Sequence, residues 1–267
     1  MSTRMPVVFS GHGSPMIAIE NNEITEGMAS VGRYITEHYG KPKAILSISA
    51  HWYTDGTYVQ SAPIPRQVYD MYGFPAELYA VKYPVHGDEE LTAKVQNLLG
   101  DQVSVNDSWG IDHGTWTVLV HMFPKADIPV VQLSVNGRLS AAQSYAIGKK
   151  LTALRDEGYL IFGSGNVVHN LMRVEWDNDG GTPMTLRFNK EITDAVLSAK
   201  KDIVIHYDQL QDASYAVPTP DHFLPLLYCL GATEGNQIKV FNNICNLGSM
   251  AMTGYLFETI FETNANA

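Results

Sequence analysis

Four short stretches of the chain are almost continuously apolar. They are "MPVVFS" (5–10), "KAILSISA" (43–50), "IPVVQLSV" (128–135) and "YLIFGSG" (159–165). An unbroken apolar run of strand length is typical of a strand that is covered on both faces, because a half-exposed strand alternates between apolar and polar residues. The pattern therefore predicts four buried strands.

Three segments between these runs have a helical pattern. In the first, apolar residues recur at i, i+4, i+7 and i+11: Ile24, Met28, Val31 and Ile35. In the second, an acidic start precedes a similar stripe: Leu91, Val95, Leu98 and Leu99. The third (140–158) begins at a capping serine and stops at a glycine. Strands that alternate with helices predict a single α/β domain over residues 1–267, with a mostly parallel or mixed central sheet covered by helices on both faces.

Two further segments complete the expected architecture. Residues 52–87 are rich in Pro, Tyr and Gly, which predicts a long, partly irregular excursion of the kind that often walls off a site in α/β folds. Near the end of the sequence, "IKVFNN" and "MAMTGYLFE" are candidates for additional strands.

Composition narrows the partners that we expect. The 267 residues carry a formal net charge of −10, so the chain lacks the basic face that nucleic acids or anionic membranes require. No apolar run approaches the roughly 18 residues of a membrane span, and the first strand follows at once on a short N-terminal segment without signal-peptide character. With two cysteines and no Cys-x-x-Cys motif, we expect a cytoplasmic protein that acts on a small molecule.

Five of the nine histidines occupy related places in this scheme. His12 in "GHGSP", His51 in "SAHW" and His169 in "GSGNVVHN" each follow an apolar strand run. In an open α/β sheet, ligands bind at the carboxyl edge of the strands. His113 in "WGIDHGTW" and His222 in "PTPDHFLPLLY" stand near predicted helix starts, which is compatible with the same edge. A lone histidine is more often a hydrogen-bonded structural residue, but three at equivalent strand ends favour a shared site.

A cluster of neutral imidazoles without thiolates suits a divalent ion such as Fe(II) or Zn(II). Ligation that leaves a coordination position open is typical of a catalytic metal rather than a structural one. Gly11 and Gly13 flank His12 and would let the strand end bend so that the imidazole meets the metal.

The five histidine motifs, in this order and at these separations, resemble those of the class III extradiol ring-cleaving dioxygenases. They are most similar to the branch that acts on DOPA, and the resemblance runs from about Pro6 to the C-terminus. It implies a metal held by His12, His51 and His222. It also implies that His169 is either a fourth ligand or the acid/base, and that His113 is a second active-site histidine. The implied fold is a single α/β domain.

The resemblance includes one departure that affects the metal. Better-known relatives that act on protocatechuate use two histidines and a glutamate, whereas His222 takes the third position here. Asp221 is the nearest carboxylate, but adjacent residues at a helix start usually point apart, so we do not expect it to be a ligand. Three neutral ligands leave the full +2 charge on the ion. We expect Fe(II) for ring cleavage, and the same ligands would also accept Zn(II).

The sequence thus predicts an oxidoreductase that inserts both atoms of O2 into a catechol ring and yields a ring-opened semialdehyde. Two alternatives stay open. One is a metal-dependent hydrolase of a small molecule, which would turn over without O2. The other is a non-catalytic protein that binds metal or small aromatic compounds. The residues leave the oligomeric state and the natural catechol undetermined.

Overall fold

The computed structural model describes residues 4–233 and 237–258. Its strands are β1 (Val7–Gly11), β2 (Ile45–Thr54), β3 (Tyr58–Val59), β4 (Ser104–Val105), β5 (Val130–Asn136), β6 (Leu160–Gly165), β7 (Gln237–Phe241), β8 (Cys245–Asn246), β9 (Met250–Ala251) and β10 (Gly254–Glu258). Its α-helices are α1 (Glu23–Tyr39), α2 (Ala76–Ala80), α3 (Glu89–Leu99), α4 (His113–Met122), α5 (Ala141–Leu151), α6 (Pro183–Leu197), α7 (Lys201–Ile205), α8 (Ala213–Ala216) and α9 (Leu224–Gly231).

Eight strands form one mixed sheet in the order β4-β3-β5-β2-β6-β1-β10-β7. The four predicted strands are its centre: β5, β2, β6 and β1 are mutually parallel and almost wholly buried. The strands that flank this centre run antiparallel to it, since β3 pairs with β5 on one side and β10 pairs with β1 on the other. The prediction of a mostly parallel or mixed sheet is confirmed.

Helices cover both faces of this sheet, as predicted. On one face α1 packs against α4, and the predicted stripe of α1 is buried: Ile24, Met28, Val31 and Ile35. On the other face α9 packs against β6 and α5. The helix α1 begins at Asn22, whose side chain accepts hydrogen bonds from the backbone of Ile24 and Thr25 and so satisfies amides that the first turn leaves free.

The third predicted helix differs from the sequence expectation at its end. Ser140 caps α5 as expected, but the α-helix stops at Leu151 and continues as a 3-10 helix over Thr152–Glu157. Gly158 then ends the segment with a φ of 92°, in the left-handed region that favours glycine. Both candidate strand segments near the end of the sequence are strands, in β7 and in β9 with β10. No helix in the described ranges has the length and apolar character needed to cross a bilayer.

Candidate metal centre

The carboxyl end of β1 delivers His12 to the interior of the protein. His12 is 1% exposed and follows Gly11 directly. The two glycines beside it have different roles. Gly13 has a φ of 57°, so it supplies the turn. At Gly11 a Cβ would lie 2.7 Å from the backbone of Met252, so this glycine permits a close approach of two backbones rather than a bend.

His51 lies within β2 instead of after it. Regular pairing of β2 with β5 runs from Ile45 to Ser49 and resumes at Tyr53, so residues 50–52 form an irregularity in the ladder. Such a bulge re-aims a side chain without ending the strand. The sequence prediction placed His51 beyond the strand because the apolar run stops at Ala50, and the structure extends the strand to Thr54.

His113 is the first residue of α4, and Asp112 caps this helix. The Asp112 carboxylate is fully buried and accepts hydrogen bonds from Ser49 Oγ (2.7 Å) and Trp109 Nε1 (3.0 Å). His113 is therefore held at a helix N-terminus on a buried hydrogen-bonded network next to β2.

His222 and His169 form the opposite side of the cluster. His222 lies in the turn before α9, and His169 lies in the segment after β6. Their rings stack in parallel, with centroids 3.5 Å apart and an interplanar angle of 3°. The stacking brings together two histidines that are 53 positions apart in the chain.

The structure thus gathers all five predicted histidines. Ring centroids are 4.8 Å apart for His12 and His51, and His222 lies 5.1 Å from each of these two. His113 lies 3.8 Å from His51. The Nε2 atoms of His12 and His51 are 3.0 Å apart, a distance at which one cation or one shared proton must lie near both lone pairs.

An oxygen atom contacts the Nδ1 side of each histidine in the implied ligand set. Ser164 Oγ lies 2.9 Å from Nδ1 of His12. Asp70 Oδ2 lies 3.1 Å from Nδ1 of His51, and Asp221 contacts Nδ1 of His222. Partners of this kind are typical of metal-binding histidines, because they fix the tautomer that leaves the Nε2 lone pair free. Consistent with this, Nε2 of His222 is buried with no hydrogen-bond partner in the described part of the chain.

Charge and burial set the protonation of these groups. Burial lowers the pKa of His12 well below 6.5, and neighbouring imidazoles lower it further. Burial opposes the charge on His51 too, but Asp70 and Asp112 outweigh it and raise the pKa of His51. Burial lowers the pKa of His222 to about 4 and that of His169 to about 2. At neutral pH the last two are neutral imidazoles, the form that binds metal or accepts a proton.

Two of the carboxylates beside the cluster, those of Asp70 and Asp221, have lowered pKa values and are ionised. Burial alone would raise the pKa of Asp70, but its contacts with His113 and His51 outweigh burial and hold it well below its usual range. Burial is similarly outweighed at Asp221, where the contact with His222 lowers the pKa. Their negative charges lie just outside the imidazoles and offset part of the +2 charge that three neutral ligands would leave on an ion.

Among the described residues, one set of three histidines has ligand atoms close enough together to hold one metal ion. One ring nitrogen from each of His12, His51 and His113 lies within 4.8 Å of the others. The ring distances also bring His222 alongside His12 and His51. The buried Nε2 of His222 has no hydrogen-bond partner among the described residues, so this atom is also free to meet an ion.

Sequence reasoning missed the residues that orient the imidazoles. Ser164 was read only as part of a strand, and Asp70 lies in the irregular segment where no periodic signal marks it. Asp221 was expected to point away from His222, but it contacts the Nδ1 of that ring. For Asp221 the available signal was an acidic residue directly before a site histidine, as in "PDHF".

Comparison with known proteins identifies the family. Residues 6–258 match the family model described as the catalytic LigB subunit of aromatic ring-opening dioxygenase. The chain belongs to this family. It is therefore an extradiol ring-cleaving dioxygenase, a non-haem metal-dependent enzyme whose substrates are an aromatic compound and O2.

Individual relatives agree with the family assignment over nearly the whole chain. A 4,5-DOPA dioxygenase extradiol of Escherichia coli (strain K12) is 40% identical over 259 residues, which is 94% of each chain. A 4,5-DOPA dioxygenase extradiol of Beta vulgaris is 36% identical over 94% of this chain and 96% of its own. The crystal structure of an uncharacterized protein from Escherichia coli K12 superimposes with a TM-score of 0.82 at 36% identity, covering 95% of this chain and 99% of that one.

Proposed function

We propose that this dioxygenase opens the ring of a DOPA-like catechol at the histidine cluster, with Fe(II) as the working ion. The observation that carries the proposal is the convergence of His12, His51 and His222, each with an oxygen on its Nδ1 side. The names of relatives that cover nearly the whole chain support a DOPA-like substrate. In the overall reaction a ring carbon–carbon bond beside one hydroxyl breaks, and both atoms of O2 enter the product.

His12, His51 and His222 would hold the ion through Nε2. When bound, a divalent ion lowers the pKa of catechol hydroxyl groups, and Fe(II) also supplies the redox chemistry that lets O2 react with the ring. Zn(II) would bind the same imidazoles but lacks that redox chemistry. Asp70 and Asp221 outside the ligands would offset part of the ion's charge, and the ion itself would attract an anionic catecholate.

His169 is the proposed base for a phenolic proton. Its pKa of about 2 keeps the ring neutral and able to accept a proton, and the negative charge of a bound catecholate would raise that pKa toward the working range. In the described part of the chain, no residue hydrogen-bonds the imidazole of His169, which leaves it available to substrate. His113 would hydrogen-bond the reacting oxygen atoms.

The test is O2 uptake by the iron-loaded protein. After anaerobic loading with Fe(II), addition of DOPA and air should consume one O2 per catechol and give a yellow product whose mass equals that of substrate plus O2. A His38→Ala variant, which removes an exposed histidine of α1, should behave as wild type. Turnover under argon would identify a hydrolase instead. Catechol binding without O2 consumption would identify a non-catalytic binding protein.

A further inference from the structure

Asp70 contacts two histidines from different elements with one oxygen atom. Its Oδ2 lies 3.1 Å from Nδ1 of His51 and 3.0 Å from Nδ1 of His113. Its Oδ1 accepts a hydrogen bond from the backbone N–H of His113 (2.9 Å). The carboxylate is nearly buried, with 12% of its side chain exposed. The backbone N–H of His113 donates to this carboxylate, and both ring Nδ1 atoms lie within 3.1 Å of its other oxygen. An ionised carboxylate offers acceptors only, so it favours a proton on each of these nitrogens.

This arrangement fixes where the ring protons lie. A neutral imidazole carries one N–H, and the anion draws that proton to Nδ1 in both rings. The Nε2 atoms of His51 and His113 are then left with free lone pairs. For His51 this is the nitrogen that faces Nε2 of His12 at 3.0 Å.

We propose that Asp70 is a positioning residue that sets the Nδ1–H tautomer of His51 and His113 together. It thereby readies His51 to bind the metal and leaves Nε2 of His113 able to accept a hydrogen bond from a protonated oxygen of the reacting groups. The proposal rests on the metal site described under the proposed function. It adds that one carboxylate, in the irregular segment between β3 and α2, governs a metal ligand and a second active-site histidine at once.

An asparagine at position 70 cannot accept hydrogen bonds from all three N–H groups, whichever way its side-chain amide is turned. If its amide oxygen faces the two rings, its NH2 group meets the backbone N–H of His113, and two donors oppose each other. If its NH2 group faces the rings, both Nδ1 atoms must become acceptors. The protons then move to Nε2, where they block metal binding. Position 70 thus requires a side chain that only accepts hydrogen bonds. Where a carboxylate contacts a single imidazole, an amide could replace it, because the amide oxygen can still accept from Nδ1.

The experiment reads the tautomers directly in metal-free protein. With 15N-labelled histidine at alkaline pH, NMR of the wild type should show both His51 and His113 protonated on Nδ1. In Asp70→Asn one or both rings should shift toward the Nε2–H form. Competition with a chromophoric chelator should show Zn(II) affinity lowered by about 10- to 100-fold, the range for partners of metal-binding histidines. Asp70→Glu keeps two acceptor oxygens and should recover part of the affinity.

Asp55→Asn is the matched control. Asp55 also lies in the loop region after β2, but its side chain is 71% exposed and pairs with Arg138 on the surface. This variant should keep both tautomers and the Zn(II) affinity. Unchanged tautomers and affinity in a folded Asp70→Asn variant would overturn the proposal. So would Nε2–H tautomers in the wild type, a measurement that needs no variant to fold. These readouts do not depend on ring cleavage, so failure of the wild type to consume O2 would count against the proposed function alone.

Discussion

The two sides of the histidine cluster have the same components in different arrangements. On one side are His51 and His113, the Asp70 pair, whose rings share one carboxylate oxygen. On the other are His222 and His169, the stacked pair, where Asp221 contacts only His222 and the two rings lie face to face. Each side offers one proposed ligand and one histidine outside the proposed ligand set. The difference indicates that His113 is held in a fixed protonation pattern, whereas His169 is free to take up and release a proton.

The largest expected effect is a loss of Zn(II) affinity. It should distinguish His222, a proposed ligand, from His113, which lies outside the proposed ligand set. His222→Ala should lower Zn(II) affinity by more than about 100-fold, beyond the loss expected for an outer partner, and should abolish turnover. His113→Ala should keep the affinity within about threefold, because the ligand set remains complete. Chelator competition with purified variants checks both values. If His113→Ala loses the metal and His222→Ala keeps it, the ligands are His12, His51 and His113 instead.

Removal of the His169 imidazole should lower turnover far more than it lowers metal binding. His169→Ala should lower kcat by about 10²- to 10⁴-fold, the range for loss of a general acid–base. Its iron content should match that of wild type. O2 uptake and metal analysis on the same sample test this, and normal turnover would remove His169 from the role of base. Loss of iron together with turnover would make His169 a fourth ligand.

Asparagine substitution should affect the stacked pair less than the Asp70 pair. In Asp221→Asn the amide oxygen can still accept a hydrogen bond from Nδ1 of His222, so Zn(II) affinity should fall by less than about tenfold. Asp70→Asn should lower Zn(II) affinity more, because the Asp70 carboxylate contacts two rings. Competition of both variants with the same chelator shows which substitution lowers Zn(II) affinity more. Equal losses would show that each carboxylate acts through its charge alone.

The two sides should also differ in the pH dependence of stability of the metal-free protein. Burial lowers the pKa of His169 to about 2 and that of His222 to about 4, so the unfolded chain takes up protons below pH 6.5 while these folded side chains do not. The free energy of unfolding therefore falls with decreasing pH, by at most ~1.4 kcal/mol per pH unit for each histidine. The raised pKa of His51 acts in the opposite sense: its stabilisation is present at low pH and is lost as pH rises through the folded pKa.

Urea unfolding of chelator-treated protein between neutral and mildly acidic pH measures this dependence. A His169→Gln variant lacks one of the groups that resist protonation when folded. Its stability should fall less steeply with acid than that of wild type. An identical slope in both proteins would mean that His169 titrates normally in the fold, contrary to its buried position.

The sequence predicted the sheet better than it predicted the surroundings of the metal. The central strands were found because burial on both faces leaves an unbroken apolar run, and the helices because Ile24, Met28 and their neighbours repeat at helical spacing. All five histidines were found from their places at strand ends and helix starts. Asp70 was not, because a side chain that orients a ring from an irregular segment has no spacing rule. The bulge at His51 was missed for a related reason: only pairing with β5 reveals it.

The place of β1 in the sheet has a consequence for how the protein is made. This strand is synthesised first, yet its two neighbours, β6 and β10, lie about 150 and about 250 residues later in the chain. In a growing chain β1 can therefore pair with β6 only after more than half of the chain has been made, and its other edge stays unpaired until β10 follows. His12 follows that strand, so it can meet His222, which precedes α9, only after most of the chain has been made.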